Sequence, residues 1–129
     1  MPAGTVNMGI TSTLDILPTF LDFAGADVPG DRVIDGYSLQ ELLTKNKKSP
    51  REIMYYYRDG KLRAVRMGPW KVHYETMPEI EGKKYTKHDP PILYNIEQDP
   101  GEQYNIAPKH PDVLTRIKKI VDEHQKAFY

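Results

Sequence analysis

Alternating apolar and polar residues predict a β-hairpin at the centre of the chain. Residues 62–67 and 70–75 each alternate with a period of two, which is typical of strands with one buried and one exposed face. Gly68-Pro69 separates the two runs and favours a tight turn, because glycine tolerates positive φ and proline restricts φ. The hairpin therefore places two sets of side chains on opposite faces of a sheet.

Strict alternation assigns each side chain of the hairpin to one face. After the turn, the expected apolar face carries Trp70, Val72 and Tyr74, and the opposite face carries Lys71, His73 and Glu75. Before the turn, alternation predicts Leu62, Ala64 and Arg66 on one face and Arg63, Val65 and Met67 on the other. We expect the apolar face to pack on a core and the polar face to meet water or a ligand.

Two further runs are predicted to complete a small sheet. Residues 52–58 are rich in aromatic and β-branched side chains, and Asp59-Gly60 after them is a hairpin turn signal. Residues 76–91 are predicted to be a long polar loop, followed by a fourth strand at 92–96. Because two-residue connections are too short for a parallel crossover, the sheet is expected to be antiparallel, with strands at 52–58, 61–67, 70–75 and 92–96.

The first predicted helix covers residues 15–25. Asp15 is a candidate N-cap, Pro18 falls in the first turn where proline is tolerated, and Gly25 suits the C-terminal cap. Apolar side chains cover much of the circumference of this helix: Ile16, Leu17, Phe20, Leu21 and Phe23. A surface of this kind usually marks an interface, so we expect the helix at 15–25 to bind a partner domain or to mediate self-association.

Two more helices follow from capping and periodicity. Ser38 and Glu41 have the spacing of a capping box for a short helix at 38–45. Pro111 suits the first position of an amphipathic helix near 112–127, which is expected to cover one face of the sheet. The predicted fold class is α+β, with a four-stranded antiparallel sheet, a carboxy-terminal helix on one face and one or two short helices before them.

Composition excludes several classes of function. The 129 residues carry 18 Lys plus Arg and 18 Asp plus Glu, so the basic excess expected of a nucleic-acid-binding protein is missing. The chain has no cysteine, which excludes disulfides, thiolate metal sites and a cysteine nucleophile. No run is apolar enough to span a membrane, so neither nucleic acid nor membrane is an expected partner.

Four short motifs follow one another along the chain. They are Ser12-x-x-Asp15-x-x-Pro18-Thr19-x-Leu21-x-x-Ala24-Gly25, Asp35-Gly36-x-Ser38-Leu39, Ala64-Val65-Arg66-x-Gly68-Pro69-Trp70-Lys71-x-His73 and Pro90-Pro91-x-Leu93-Tyr94-Asn95-x-x-x-Asp99-Pro100-x-Glu102-x-x-Asn105. In residue type and order they resemble the carboxy-terminal subdomain of the type I sulfatases, the arylsulfatase-like enzymes. The resemblance extends over nearly the whole chain.

The resemblance implies a division of the chain into two parts. Residues 1–50 are expected to be the tail of a sulfatase catalytic domain with its connecting segment, and residues 51–129 the carboxy-terminal subdomain. The chain is then expected to begin inside a larger fold, with the missing catalytic domain as its main partner. By the same resemblance, the parent enzyme would lie in a periplasmic, extracellular or lysosomal compartment.

The chemistry that the resemblance implies cannot be placed on this chain. Type I sulfatases hydrolyse sulfate esters with a formylglycine made from Cys or Ser in a Cys/Ser-x-Pro-x-Arg motif, and with a calcium ion held by Asp and Asn. There is no cysteine, and Ser12, Ser38 and Ser49 are not followed by x-Pro-x-Arg. Formylglycine and calcium are therefore expected only in the intact enzyme, and this chain alone is predicted to have no catalytic residue, no metal ligand and no activity.

Three residues are candidates for contact with the substrate, a sulfated small molecule or sugar. Lys71 and His73 share one strand face and could contact the organic part of a sulfate ester. The same face could instead be solvated, or contact the catalytic domain. His88 is placed on the predicted loop, where binding residues are common, although it could equally serve the loop structure.

Two other classes of function stay open from the sequence. The chain could be a stand-alone carbohydrate-binding or protein-interaction module, with the resemblance at residues 1–25 as the argument against it. It could also be a fragment of a related phosphoester hydrolase that shares the catalytic core. The carboxy-terminal motifs favour the sulfatase interpretation.

Overall fold

The computed structural model describes the backbone of residues 3–77 and 84–128, and side chains within those ranges up to residue 126. The chain divides into two compact units, Met1–Glu52 and Ile53–Tyr129. The second unit contains the sheet and the long carboxy-terminal helix, and the first contains short helices, loops and an isolated β-bridge between Ile10 and Arg51.

The carboxy-terminal unit is built on the predicted antiparallel sheet. Its strands are β1 (Ile53–Arg58), β2 (Lys61–Met67), β3 (Trp70–Thr76) and β4 (Thr86–Asn95), and they lie side by side in chain order. All three pairings are antiparallel, as the short turns after β1 and β2 require. The predicted α+β class and the four-stranded antiparallel sheet are confirmed.

One face of the sheet is covered by the last helix, Pro111–Phe128, which begins at Pro111 as predicted. Buried apolar side chains from the sheet and the helix form the core: Val65, Val72, Leu93, Ala107, Val113, Ile117 and Val121. Val65 and Leu93 have no exposed surface, and each fully buried side chain of this size contributes about 1.5–3 kcal/mol to folding. The core thus fixes which face of each strand turns away from solvent.

A β-bulge changes the predicted faces of β2. Tyr56 pairs with Ala64 and Tyr57 pairs with Leu62, so Arg63 is an extra residue in the ladder. Leu62 consequently packs against the same core as Val65, while Arg63 forms an ion pair with Glu75 on the opposite face. The prediction that Leu62 lies opposite Val65 was wrong, because strict alternation does not allow for an inserted residue.

The fourth strand is longer than predicted. β4 begins at Thr86, opposite Thr76 of β3, so residues 86–91 belong to the sheet and not to the predicted loop. Two prolines are tolerated there because β4 is an edge strand, and the pairing register shifts between His73 and Glu75. Residues 78–83 of the predicted loop lie outside the described residues.

The amino-terminal unit contains two short helices. A turn of 3-10 helix at Thr13–Asp15 leads into α1 (Ile16–Ala24), and α2 spans Gln40–Lys45. The last helix, Pro111–Phe128, is α3. Gly25 caps α1 with φ of 66°, as expected for a glycine at a helix end.

Asp15 lies at the N-cap of α1, as predicted, but without the expected capping hydrogen bond, and the predicted capping box of Ser38 and Glu41 does not form. Asp15 makes no side-chain cap to α1; it instead accepts the N–H of Ser12 at 2.8 Å in a capping box at the preceding 3-10 turn. α2 begins after Leu39, and Ser38 Oγ donates to Asp22 while accepting the Gln40 N–H at 3.2 Å. Each side chain is instead engaged by another residue, Ser12 for Asp15 and Asp22 for Ser38, which the spacing of the capping motif does not reveal.

Asp15 is the centre of a buried ion pair. Its side chain has no exposed surface, and it binds Arg51 through the guanidinium Nε at 3.2 Å and through Nη2. It also accepts the N–H of Tyr37 at 3.0 Å, and Arg51 donates to the Asp35 carbonyl at 3.0 Å. Burial would raise the pKa of Asp15, but the hydrogen bonds and the charge of Arg51 lower it overall.

Gly36 is required by a close approach of two backbone segments. A Cβ at this position would lie 2.0 Å from the Leu14 carbonyl oxygen, well inside van der Waals contact. The Asp35-Gly36 motif and the Ser12-x-x-Asp15 motif therefore meet around one point of the amino-terminal unit. Their residues have structural roles there, which accounts for the first two motifs without any chemistry.

Candidate functional site

The sheet face opposite α3 brings together two of the three predicted site residues. Lys71 and His73 lie two residues apart on β3, and both contact Glu102. Lys71 Nζ binds Glu102 Oε1, and His73 Nε2 lies 2.6 Å from Glu102 Oε2. The prediction that Lys71 and His73 share a face is confirmed. We call this face of the sheet, which carries Lys71 and His73 and lies opposite the last helix, the open face.

A tight turn holds Glu102 over the open face. Glu102 has φ of 53°, and its N–H donates to the Asp99 carbonyl at 3.1 Å. The Asp99 carboxylate accepts the N–H groups of Gln103 and Tyr104, both at 2.8 Å. These hydrogen bonds hold the backbone of the turn, and the Glu102 carboxylate reaches Lys71 and His73 of β3 from it.

Asn105, the last residue of the fourth motif, attaches the segment after Glu102 to β4. Asn105 Oδ1 accepts the Leu93 N–H at 3.1 Å and the Ala107 N–H at 3.0 Å. The Ile106 N–H donates to the Leu93 carbonyl at 2.9 Å. The motif from Asp99 to Asn105 is therefore explained by how this loop is attached to β4 and to the open face.

The cluster of Lys71, His73 and Glu102 carries little net positive charge. Lys71 is paired with Glu102, and burial lowers the pKa of His73 below its ordinary value. The charges of Lys71 and His88 lower it further, while the charge and hydrogen bond of Glu102 act in the opposite direction. His73 is therefore mainly neutral at pH 7 and donates Nε2–H to the Glu102 carboxylate, which can only accept.

A groove of about 360 Å³ runs over the open face beside this cluster. Arg63 at its floor pairs with Glu75, and its guanidinium lies 3.7 Å from the centroid of the Tyr85 ring. Lys71 Nζ lies 5.4 Å from the centroid of the Tyr56 ring. The groove thus combines aromatic rings with hydrogen-bonding groups whose charges are compensated.

Sequence reasoning missed Glu102, Arg63 and Tyr85. Glu102 belongs to the fourth motif, but the motif does not reveal its left-handed conformation or its contact with β3, because both are tertiary features. Arg63 was assigned to the wrong face because of the bulge. No local signal pointed to Tyr85, which precedes β4.

His88, the third predicted residue, lies apart from the cluster. It is on β4, and its Nε2 is 2.8 Å from Thr76 Oγ1. It lines a different groove of about 500 Å³, between the β3–β4 end of the sheet and α3. In this groove, burial and then the charge of Asp122 raise the pKa of Tyr74 to about 12, so the phenol stays protonated.

The described residues do not fit the calcium site of a sulfatase. Within residues 3–77 and 84–128, no group of three or more His, Asp or Glu side chains could hold a metal ion. The chain also has no cysteine from which formylglycine could be made. In the same ranges, none of the helices has the length and apolarity needed to cross a bilayer.

The chain matches a known protein family. Residues 49–129 match the Sulfatase_C family, described as the C-terminal region of aryl-sulfatase. The chain belongs to this family. The resemblance stated from the four motifs is confirmed.

Relatives and solved structures agree with this assignment. The chain is 33% identical to an arylsulfatase of Hemicentrotus pulcherrimus over 97% of its own length, and 34% identical to human arylsulfatase A over 91%. The PsFucS1 sulfatase of Pseudoalteromonas sp. has the same fold, with a TM-score of 0.77 over 95% of this chain and 24% identity. The chain spans only 28% of the length of either arylsulfatase, and 27% of the solved sulfatase.

Proposed function

We propose that this chain is the carboxy-terminal region of an arylsulfatase-type sulfuric ester hydrolase, and that it shapes the substrate cleft without supplying the nucleophile or the metal site. The supporting observation is the similarity to arylsulfatases over 97% of the chain and only 28% of the relative. A sulfatase this similar would place its chemistry in the other part of the protein. Residues 1–50 would then be the tail of the catalytic domain and residues 51–129 the subdomain.

The remaining features of the enzyme follow from the family. The intact protein would use formylglycine and calcium, both outside this chain, to hydrolyse a sulfated small molecule or sugar. Calcium would stabilise charge on the sulfate oxygens. A periplasmic, extracellular or lysosomal compartment is proposed on the same basis.

The open face is proposed to contact the uncharged part of the substrate. Lys71 is already paired with Glu102 and His73 is mainly neutral, so the cluster has little net charge with which to hold a sulfate group. It offers fixed hydrogen-bonding groups beside an aromatic ring, Tyr56, which suits the hydroxyl groups of a sugar. His88 is proposed as a separate contact, from the groove beside α3.

Substitution in the complete enzyme tests the role of the open face. Lys71→Ala and His73→Ala are expected to raise KM for the sulfated sugar and to leave kcat nearly unchanged, because neither residue would touch the sulfate. Arg116→Ala, on the exposed side of α3, is the matched control. If KM is unchanged in both variants, Lys71 and His73 serve only to hold Glu102 in place and do not contact the substrate.

The surface of α1 is proposed as the contact with the catalytic domain. Phe20 is 68% exposed and Phe23 is 50% exposed, although both are large apolar side chains. In the chain by itself this surface is open, so self-association through α1 is also expected. Phe20→Lys with Phe23→Lys should abolish that association in sedimentation velocity, and association that persists in this variant would assign it to another surface.

The gene itself provides a test of the whole proposal. The coding region upstream of the codon for Met1 should contain a Cys/Ser-x-Pro-x-Arg motif in frame. A stop codon or a signal peptide directly upstream would instead favour a stand-alone binding module.

A further inference from the structure

The segment that joins α1 to α2 lies on the surface of the amino-terminal unit. Every residue from 22 to 33 is exposed, and residues 26–39 form neither helix nor strand. Within residues 27–34, no main-chain N–H or carbonyl is hydrogen-bonded to another residue that the structure describes. The Arg32 side chain is 68% exposed and Val33 is 90% exposed. Another protein can therefore bind this stretch of main chain without opening any part of the fold.

The chemistry of residues 27–34 indicates which class of protein fits them. Proteases cleave exposed loops directly, whereas a bond within a helix or a paired strand is cleaved only after local unfolding. Arg32 is the one cationic residue of the segment, and a trypsin-like pocket recognises such a side chain through a buried aspartate. The Arg32–Asp31 ion pair is largely exposed, so it holds the guanidinium only weakly. The segment therefore suits a protease that cleaves after arginine.

The other arginines are buried or belong to regular structure. They are Arg51, Arg58, Arg63, Arg66 and Arg116. The Arg51 side chain is only 8% exposed and is bound to Asp15. Arg58 lies in β1, Arg63 and Arg66 lie in β2, and Arg116 lies in α3. Among the arginines of the chain, Arg32 alone lies in an exposed segment without regular structure.

The contacts that hold the amino-terminal unit together join the two sides of the Arg32–Val33 bond. The buried ion pair connects Asp15, before the bond, with Arg51, after it. Asp15 also accepts the N–H of Tyr37 at 3.0 Å, and Thr19 Oγ1 accepts the N–H of Leu39 at 2.9 Å. None of these contacts involves residues 27–34, so a break in the chain there leaves all of them in place.

We propose that the Arg32–Val33 bond is a processing site for an arginine-specific protease, and that the two products stay associated through the contacts around Asp15. Hydrolysis adds one water molecule across the amide bond, so Arg32 gains a carboxylate and Val33 gains an ammonium group. Both new termini lie in the exposed segment, where water solvates their charges. The site belongs to the amino-terminal unit alone and does not depend on the sulfatase assignment.

Limited proteolysis of the folded 129-residue chain with an arginine-specific endoprotease tests the site. Mass spectrometry should identify residues 1–32 and 33–129 as the first products. Arg32→Gln should slow the loss of intact chain by about tenfold, because cleavage at the other arginines requires local unfolding. Arg58→Gln removes an exposed arginine at the end of β1 and is the matched control, which should leave the rate unchanged.

Size-exclusion chromatography of the cleaved chain tests whether the two products stay associated. They should elute together in native buffer and separately in denaturant. A first cut after another arginine, or cleavage of Arg32→Gln as fast as the parent chain, would overturn the assignment of this site. Separation of the two products in native buffer would overturn their association through the contacts around Asp15.

Discussion

Removing Arg51 from its ion pair with Asp15 is predicted to unfold the amino-terminal unit. Asp15 has no exposed surface, and the Arg51 side chain is only 8% exposed. Arg51→Ala leaves the carboxylate with the N–H groups of Ser12 and Tyr37 but without its counter-ion. Breaking a buried pair in this way costs about 3–5 kcal/mol, because an uncompensated charge stays in the interior.

This loss is large compared with the stability of a small unit. Whole domains are stable by only about 5–15 kcal/mol, and this unit comprises residues 1–52 with few buried apolar side chains. Asp15→Ala with Arg51→Ala should cost less than the sum of the two single changes, because neither partner is then left alone. The coupling energy of this cycle measures the interaction directly.

Amide hydrogen exchange measures the loss of stability separately in each unit. A single unfolding curve cannot do this for a chain with two units. Arg51→Ala should lower protection in α1 and leave the core strands β2 and β3 unchanged. Arg32→Ala is the matched control, since the Arg32–Asp31 pair is largely exposed and should make no measurable difference. A loss of less than about 1 kcal/mol in Arg51→Ala would show that the pair behaves like an exposed one, contrary to this prediction.

The same ion pair predicts an acid limit for the amino-terminal unit. The pKa of Asp15 in the folded chain lies below its ordinary value of 3.8. The stabilisation is therefore present above the unfolded pKa and is lost as pH falls through the lower folded value. Hydrogen exchange in α1 should accelerate in this acidic range in the parent chain, and Arg51→Ala should lose much of that dependence.

Two further predictions concern single residues. NMR titration should give His73 a pKa below 6.5, and Glu102→Gln should lower it further because the carboxylate favours the imidazolium; an increase would contradict the assigned contact. Gly36→Ala should destabilise the amino-terminal unit by about 1–3 kcal/mol or more, because the added Cβ would overlap the Leu14 carbonyl. Hydrogen exchange in α1 measures this loss, with Gly30→Ala, whose Cβ meets open space, as the control.

Much of the fold could be predicted because it is encoded locally. Alternation and short turns define β1, β2 and β3, and amphipathic periodicity with Pro111 defines α3. The errors arose where the chain departs from a regular period. The bulge at Arg63 moved Leu62 into the core, and the edge position of β4 allowed prolines that otherwise indicate a loop.

The candidate site could be predicted only in part, because half of it depends on distant contacts. Alternation placed Lys71 and His73 on one face, but Glu102 reaches them from 31 and 29 residues away in sequence. The ion pair of Asp15 could not be predicted for the same reason, since its partner Arg51 is 36 residues away. Sequence spacing reveals residues on one element, but not the loop that folds over it.

Hydrolysis of a generic aryl sulfate, with and without calcium, tests whether the catalytic site lies outside this chain. The purified 129-residue chain and the complete product of its gene are compared under identical conditions. We expect turnover by the complete product and none by the chain alone, which has neither the nucleophile motif nor, within residues 3–77 and 84–128, a metal site. Calcium-stimulated turnover by the isolated chain at enzyme-like rates would instead place the catalytic site within these 129 residues.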